Sequence, residues 1–291
     1  MKHLILYLLF EAISILIRVL PDRVRYYLGL GLGKLVFHLV KSRREVAAEN
    51  IKKALGDELT ADRIYQLTKK VYHHLGLMLV EFILLPKINR DNFRRYIRVE
   101  NEEILKQALE RGKGVIIYGA HFGNWEWMGA VISLLGYPFN AIVRKQNNPY
   151  FDARINQIRR GKGVRIIPKG MSVRKAYRCL KRGEGLLVLG DQDARSHGWE
   201  VTFFGQKTST FPGAVQLARR TGAVIVPTFL IREAWGRHRL VFHQPYIISR
   251  DASEREQREL LQKLTAEIEA VIRSHPEQWL WLHRRWKNHL Y

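Results

Sequence analysis

The chain opens on a run of apolar positions, MKHLILYLLFEAISILIRVL, interrupted only by Glu11 and Arg18 within its body. Twenty helical residues reach about 30 Å, roughly the hydrocarbon thickness of a bilayer. Residues 1–20 are therefore expected to form a membrane-anchoring helix, spanning the bilayer or lying in its interface. Glu11 argues against a clean span, because a central carboxylate is costly in lipid; the competing reading is a helix packed on the protein's own core. Pro21-Asp22-Arg23 follows where a secretory signal would carry a small-residue cleavage site.

From about Val24 to Leu85 the apolar positions recur at helical spacing, as in Leu67, Val71, Leu75 and Met78, and Pro86 closes the region. Beyond Arg111 the pattern changes. Short β-branched runs at 114–118, 139–143, 164–167, 185–189 and 224–230 alternate with helical segments near 125–135, 149–160, 171–182 and 212–221. Such alternation predicts an α/β fold, a mixed sheet with helices on both faces. Leu260, Leu261, Leu264, Ile268, Val271 and Ile272 then mark one amphipathic helix near the end. With no repeat or low-complexity linker, residues 21–291 read as a single domain. It is helical over 21–110, α/β over 111–250 and closed by a C-terminal helix over 251–291.

Composition sharpens this picture in two places. The 291 residues carry 49 Lys+Arg against 27 Asp+Glu, a formal charge of +22, which calls for an anionic partner: nucleic acid, a phospholipid surface or an acidic substrate. Arg23, Arg25, Lys34, Lys41, Arg43 and Arg44 follow soon after the apolar segment, as beside a membrane anchor facing the cytoplasm. The single cysteine, Cys179, excludes a disulfide framework and a cysteine zinc cluster, and is expected as a small core residue.

The sharpest chemical feature is Gly119-Ala120-His121-Phe122-Gly123-Asn124-Trp125-Glu126, which follows the best strand and opens a helix. Sheets of this kind place ligands there. On a straight helix His121 and Glu126 would lie about 140° apart. They meet only if His121 sits in the turn and Glu126 in the first helical turn, with Gly119 and Gly123 freeing the backbone and Asn124 as N-cap. A neutral imidazole can then take a proton from an alcohol while a carboxylate fixes its tautomer. His121 has no partner four residues away for a zinc helix, His73-His74 reads as structural, and no G-x-S-x-G elbow is present. The attacking hydroxyl is therefore expected from a substrate.

The GAHFGNWEWMG stretch resembles the His-x4-Glu motif of the bacterial lipid A biosynthesis acyltransferases, the late lauroyl and myristoyl transferases. Further segments resemble that family in order. They are Arg144-Lys145-Gln146-Asn147-Asn148-Pro149, Arg159 before Gly163-Val164, Gly190-Asp191-Gln192-Asp193, Phe203-Phe204-Gly205, Leu217 to Ala223, and Pro276 to Trp286. The related glycerolipid acyltransferases carry an Glu-Gly-Thr-Arg-like block; Phe211-Pro212-Gly213 lacks its Glu and Arg. The resemblance implies a glycerolipid acyltransferase-like fold and a metal-independent O-acyl transfer without a bound cofactor. The donor would be an acyl-acyl carrier protein thioester (acyl-CoA is less typical), and the acceptor a hydroxyl on a 3-hydroxyacyl chain of a lipid A precursor.

In that reading His121 is the general base and Glu126 orients it. The oxyanion donors are backbone N–H groups of the turn at Gly123, Asn124 and Trp125, or an arginine. Arg144 and Arg159 are candidates for acidic substrate groups, and Asp191 and Asp193 for positioning a sugar or an arginine. The implied partners are the acyl carrier protein, an anionic glycolipid and the surface of the inner membrane, with the site facing the cytoplasm. Two rivals follow: transfer to another glycolipid or a lysophospholipid, and a non-catalytic nucleic-acid-binding protein. The scattered basic residues and the apolar start disfavour the second.

Overall fold

The structure, a computed structural model, describes residues 2–169 and 172–286. Four helices come first: α1 (Lys2–Val19), α2 (Asp22–Leu39), α3 (Lys41–Leu55) and α4 (Ala61–Leu84). Strand β1 (Ile97–Glu100) and helix α5 (Glu102–Glu110) lead into the α/β part. That part runs β2 (Val115–Gly119), α6 (Trp125–Leu134), β3 (Phe139–Val143), α7 (Pro149–Gly161), β4 (Arg165–Pro168), α8 (Ser172–Lys181) and β5 (Gly185–Leu189). The hairpin β6 (Trp199–Phe203) and β7 (Gln206–Thr210) precedes α9 (Gly213–Thr221), β8 (Val224–Ala234), β9 (Arg237–Phe242) and α10 (Glu254–Ser274).

Seven strands form one mixed sheet in the order β1-β9-β8-β2-β5-β3-β4, parallel except for the β8–β9 pair. The continuous apolar runs of β2 suit a strand covered on both sides. Ile116 and Tyr118 pack with α9, α10 and α3 on one face, while Val115 and Ile117 pack with α5, α6 and α7 on the other. Helix α2 crosses α4 closely enough that a Cβ on Gly76 would stand 2.1 Å from the Gly29 carbonyl oxygen, so only glycine fits there. A capping box of Ser253 and Glu256 starts α10.

Two expectations need correction. The region 21–110 is not wholly helical, since β1 joins the sheet edge beside β9; four residues gave too short a run to show a period. The first segment is a helix, but among the described residues no helix is long and apolar enough to cross a membrane. Glu11, the residue that argued against a span, bonds Arg154 of α7 at 2.8 Å. Tyr7 stacks on Tyr150 and Phe10 meets Phe151 edge-on, so one side of α1 lies along α7. Its other side leaves Leu4, Ile5, Leu8, Leu9, Ile15 and Leu16 exposed.

Candidate active site

Strands β2 and β5 are parallel neighbours, with Gly119 opposite Leu189, and the Gly190 N–H donates to the Gly119 carbonyl at 2.9 Å. Their carboxyl ends therefore deliver His121 and Asp191 to the same place. His121 Nδ1 lies 2.9 Å from Asp191 Oδ1, and the Trp279 indole N–H donates to Asp191 Oδ2 at 2.9 Å. A carboxylate accepts only, so Nδ1 carries the proton and Nε2 keeps its lone pair. The imidazole is partly exposed while the carboxylate is 2% exposed, which leaves Nε2 as the accessible atom. The Gln192 amide nitrogen stands 3.5 Å from it, and the Trp125 ring meets the imidazole edge-on.

Burial opposes ionisation of Asp191, but the His121 imidazole and the two hydrogen bonds outweigh it and hold the carboxyl at about 2. Burial likewise pulls the His121 pKa down; the charge and hydrogen bond of Asp191, helped by the charge of Glu126, raise it above its usual value.

The turn itself is clamped from the C-terminal side. Gly123 N–H donates to the Gln278 carbonyl at 2.9 Å, and Leu280 N–H donates to the His121 carbonyl at 3.0 Å. Gly123 has φ +57°, and a Cβ there would stand 1.7 Å from the Leu230 carbonyl oxygen, so conformation and space both require glycine. Asn124 is fully buried and caps α6 by accepting the Trp127 N–H at 3.1 Å. The N–H groups of Asn124, Trp125 and Glu126 donate to no acceptor among the described residues. The site thus combines a carboxylate-fixed imidazole, an open nitrogen and free donors at a helix start, parts suited to attack of a hydroxyl on an acyl carbonyl.

The sequence model of the bacterial lipid A biosynthesis acyltransferases matches residues 1–288. The chain belongs to this family. It is an acyltransferase, similar to the lipid A biosynthesis palmitoleoyltransferase of Escherichia coli K12, at 28% identity over 92% of this chain and 86% of that one. The lauroyltransferase of the same organism is 27% identical over 92% and 87%. A phosphatidylinositol mannoside acyltransferase of Mycolicibacterium smegmatis is 23% identical over 71% and 67%. Among solved structures, the 1-acyl-sn-glycerophosphate acyltransferase of Thermotoga maritima aligns over 87% of this chain and 99% of its own, with a TM-score of 0.39 and 13% identity.

Within this acyltransferase the expected site residues divide. His121, Gly123, Asn124 and Trp125 lie together in the turn. Glu126 does not bond His121: its carboxylate is taken by Arg159, at 3.0 Å from Nε and 2.5 Å from the terminal nitrogen. The residue that fixes the imidazole is Asp191, expected to position a sugar or an arginine. The correction has a geometric cause: a bidentate fork on α7 competes successfully for Glu126, while β5 brings Asp191 up to Nδ1 directly. Asp193 turns away, accepting the Arg195 N–H at 3.0 Å, and its own N–H meets His283 Nε2 at 3.3 Å. Arg144 is exposed just past β3, with no side-chain partner among the described residues.

Trp279 and Gln278 lay inside a recognised segment without an assigned role. Glu81, which accepts from Asn124 Nδ2 at 2.8 Å, and Arg232, which bonds Glu81 and whose N–H donates to Gln278, carried no signal except as charges within apolar runs. Cys179 is buried as expected, and burial raises its thiol to about 11.

Proposed function

We propose that this acyltransferase moves a fatty acyl chain from an acyl-acyl carrier protein thioester to the hydroxyl of a 3-hydroxyacyl chain on a lipid A precursor. The observation that carries the reading is the His121–Asp191 bond, which leaves Nε2 free in a turn that ends in unpaired N–H groups. His121 Nε2 takes the hydroxyl proton while the oxygen attacks the thioester carbonyl. The tetrahedral oxyanion is held by the free N–H of Trp125 at the start of α6. As it collapses, the C–S bond breaks and the proton passes from His121 to the carrier thiolate. Asp191 stabilises the imidazolium between the two transfers. No cofactor or metal takes part in these steps.

The anionic partners match the surplus charge: an acidic carrier protein, a phosphorylated glycolipid and anionic headgroups. Arg144 is exposed past β3 with no side-chain partner among the described residues and so is left for an anionic group, whereas the fork of Arg159 is occupied by Glu126. The exposed apolar side of α1 supports a place on the cytoplasmic surface of the inner membrane.

The test is transfer by purified protein from acyl carrier protein thioesters to a panel of acceptors. Transfer to a lipid A precursor, abolished in His121→Ala, is the expected result. Transfer only to another glycolipid or a lysophospholipid would assign the protein to that acceptor, and full activity in His121→Ala would remove the proposed base.

A further inference from the structure

Behind the catalytic turn lies a buried charged cluster that no step above uses. Glu81 and His74 come from α4, Arg232 from β8 and His238 from β9, and all four are buried. Charges in an apolar interior persist only when paired. The Glu81 carboxylate accepts from Arg232 at 3.0 and 2.6 Å and from Asn124 at 2.8 Å. His238 Nε2 stands 3.2 Å from the same carboxylate. The remaining nitrogen of the Arg232 fork donates to His74 Nδ1.

That contact decides the tautomer. A guanidinium only donates, so Nδ1 of His74 accepts and the proton sits on Nε2, which donates to the Gly123 carbonyl at 3.1 Å. Burial, reinforced by the Arg232 charge, holds the His74 pKa well below its usual value, so the ring stays neutral. In a planar trans peptide the carbonyl and the next N–H point in opposite directions. With the Gly123 carbonyl drawn toward α4, the Asn124 N–H is turned away from the cluster. The next residue, Trp125, is not fully buried and its N–H is free, so the set of this peptide fixes where that donor stands.

We propose that His74, carried by the Glu81–Arg232 pair, is a positioning residue for the oxyanion, holding the Gly123–Asn124 peptide and through it the turn that presents the Trp125 N–H. The proposal rests on the acyl-transfer reading above and adds to it the residue that sets the oxyanion donor. It touches neither substrate nor the His121–Asp191 pair, so its signature differs from theirs. Cutting Glu81 or Arg232 would leave a buried charge unpaired, which makes His74 the position to change.

His74→Phe keeps a ring but loses the donor; His74→Gln keeps a donor for Gly123 and an acceptor for Arg232. Gly-Asn occurs once in the chain, so full-length protein with carbonyl-13C glycine and 15N asparagine yields a single coupled 13C–15N signal from this peptide. The signal is expected to move in His74→Phe and to stay near its wild-type position in His74→Gln. In acyl transfer, kcat should fall about tenfold in His74→Phe, short of the 10²–10³ that follows removal of a donor outright. His74→Gln should recover most of that loss. KM for the thioester and the acid limb of the pH profile should not change in either variant.

A signal that does not move, kcat at the wild-type level despite a moved signal, failure of His74→Gln to recover kcat, or a shifted acid limb would each overturn the proposal. Should His74→Phe not fold, the 15N shifts of His74 in the wild type decide. They must report the neutral Nε2–H form from about pH 6 to 8, and the other tautomer or a titrating ring defeats the proposal. Full transfer by His121→Ala would instead defeat the reaction reading, which the peptide signal does not depend on.

Discussion

The inner and outer walls of the catalytic turn each offer His121 a carboxylate, and the two live under different conditions. Asp191 on the inner wall is 2% exposed, bonded to the imidazole and to the Trp279 indole, and held at about 2. Glu126 on the outer wall is 18% exposed and spends both oxygens on Arg159. Only the inner carboxylate sets the tautomer; the outer one reaches His121 through its charge alone. Proximity in sequence is therefore a poor guide to which acid serves the base. Glu126 is five residues away and Asp191 seventy, yet parallel strand pairing makes the distant residue the neighbour.

The largest effect is expected where this contrast is broken outright. Asp191→Asn offers Nδ1 a donor or an acceptor in place of a carboxylate, and kcat should fall about 10³- to 10⁴-fold with little change in binding. Since Asp191 raises the His121 pKa and the proposed base works in its neutral form, wild-type activity should decline as pH falls through a value above the usual 6.5. In the variant that acid limb should move to lower pH, as a pH–rate profile would show. The same depressed carboxyl contributes stability present above 3.8 and lost as pH falls toward about 2. The stability gap between wild type and variant should accordingly narrow over that window in acid unfolding. An unchanged limb together with a modest loss of rate would return the orienting role to Glu126.

Why the sequence pointed to the wrong acid follows from what each signal reports. The motif around His121 is local: a strand, a glycine turn and an N-cap are visible in eight consecutive residues. The strands β2 to β5 and β8, and the helices between them, were legible because buried parallel strands read as apolar runs. The hairpin β6–β7 and the strands β1 and β9 were not, as their polar positions, including Arg98, Lys207, Arg237 and Arg239, break the runs. Partner choice across the sheet depends on register, which no local pattern carries. His74 shows the same limit: side by side with His73 it looked structural, and only the folding of α4 behind the turn brings it to Gly123. The apolar start was read correctly as a helix, but its hydropathy could not reveal that Arg154 would claim Glu11.

A smaller effect should come from the outer wall. Glu126→Gln and Arg159→Gln each leave the His121–Asp191 bond in place, so each should cost about 10- to 100-fold in kcat/KM rather than the larger loss at Asp191. Because the two side chains act as one ion pair, the double variant should cost little more than either single change. Glu126→Gln should also lower the acid limb slightly, since its charge helps raise the His121 pKa. Fully additive losses would show that Glu126 acts on the base independently of Arg159.

The smallest effect belongs to the outermost charge. Arg144 sits exposed past β3, free of any acidic partner among the described residues, while Arg159 is neutralised by Glu126. An exposed cation facing water attracts an anionic acceptor weakly, and salt screens it beyond about 8 Å at physiological ionic strength. Arg144→Gln should therefore raise KM for a phosphorylated acceptor about 3- to 10-fold at low salt, with kcat unchanged, because the group binds substrate before the proton moves. Raising the salt should shrink the difference, and an acceptor stripped of its phosphates should show none. The inner wall predicts the reverse on each count: a change in kcat, insensitive to salt and to phosphate, because Asp191 is shielded from both by burial.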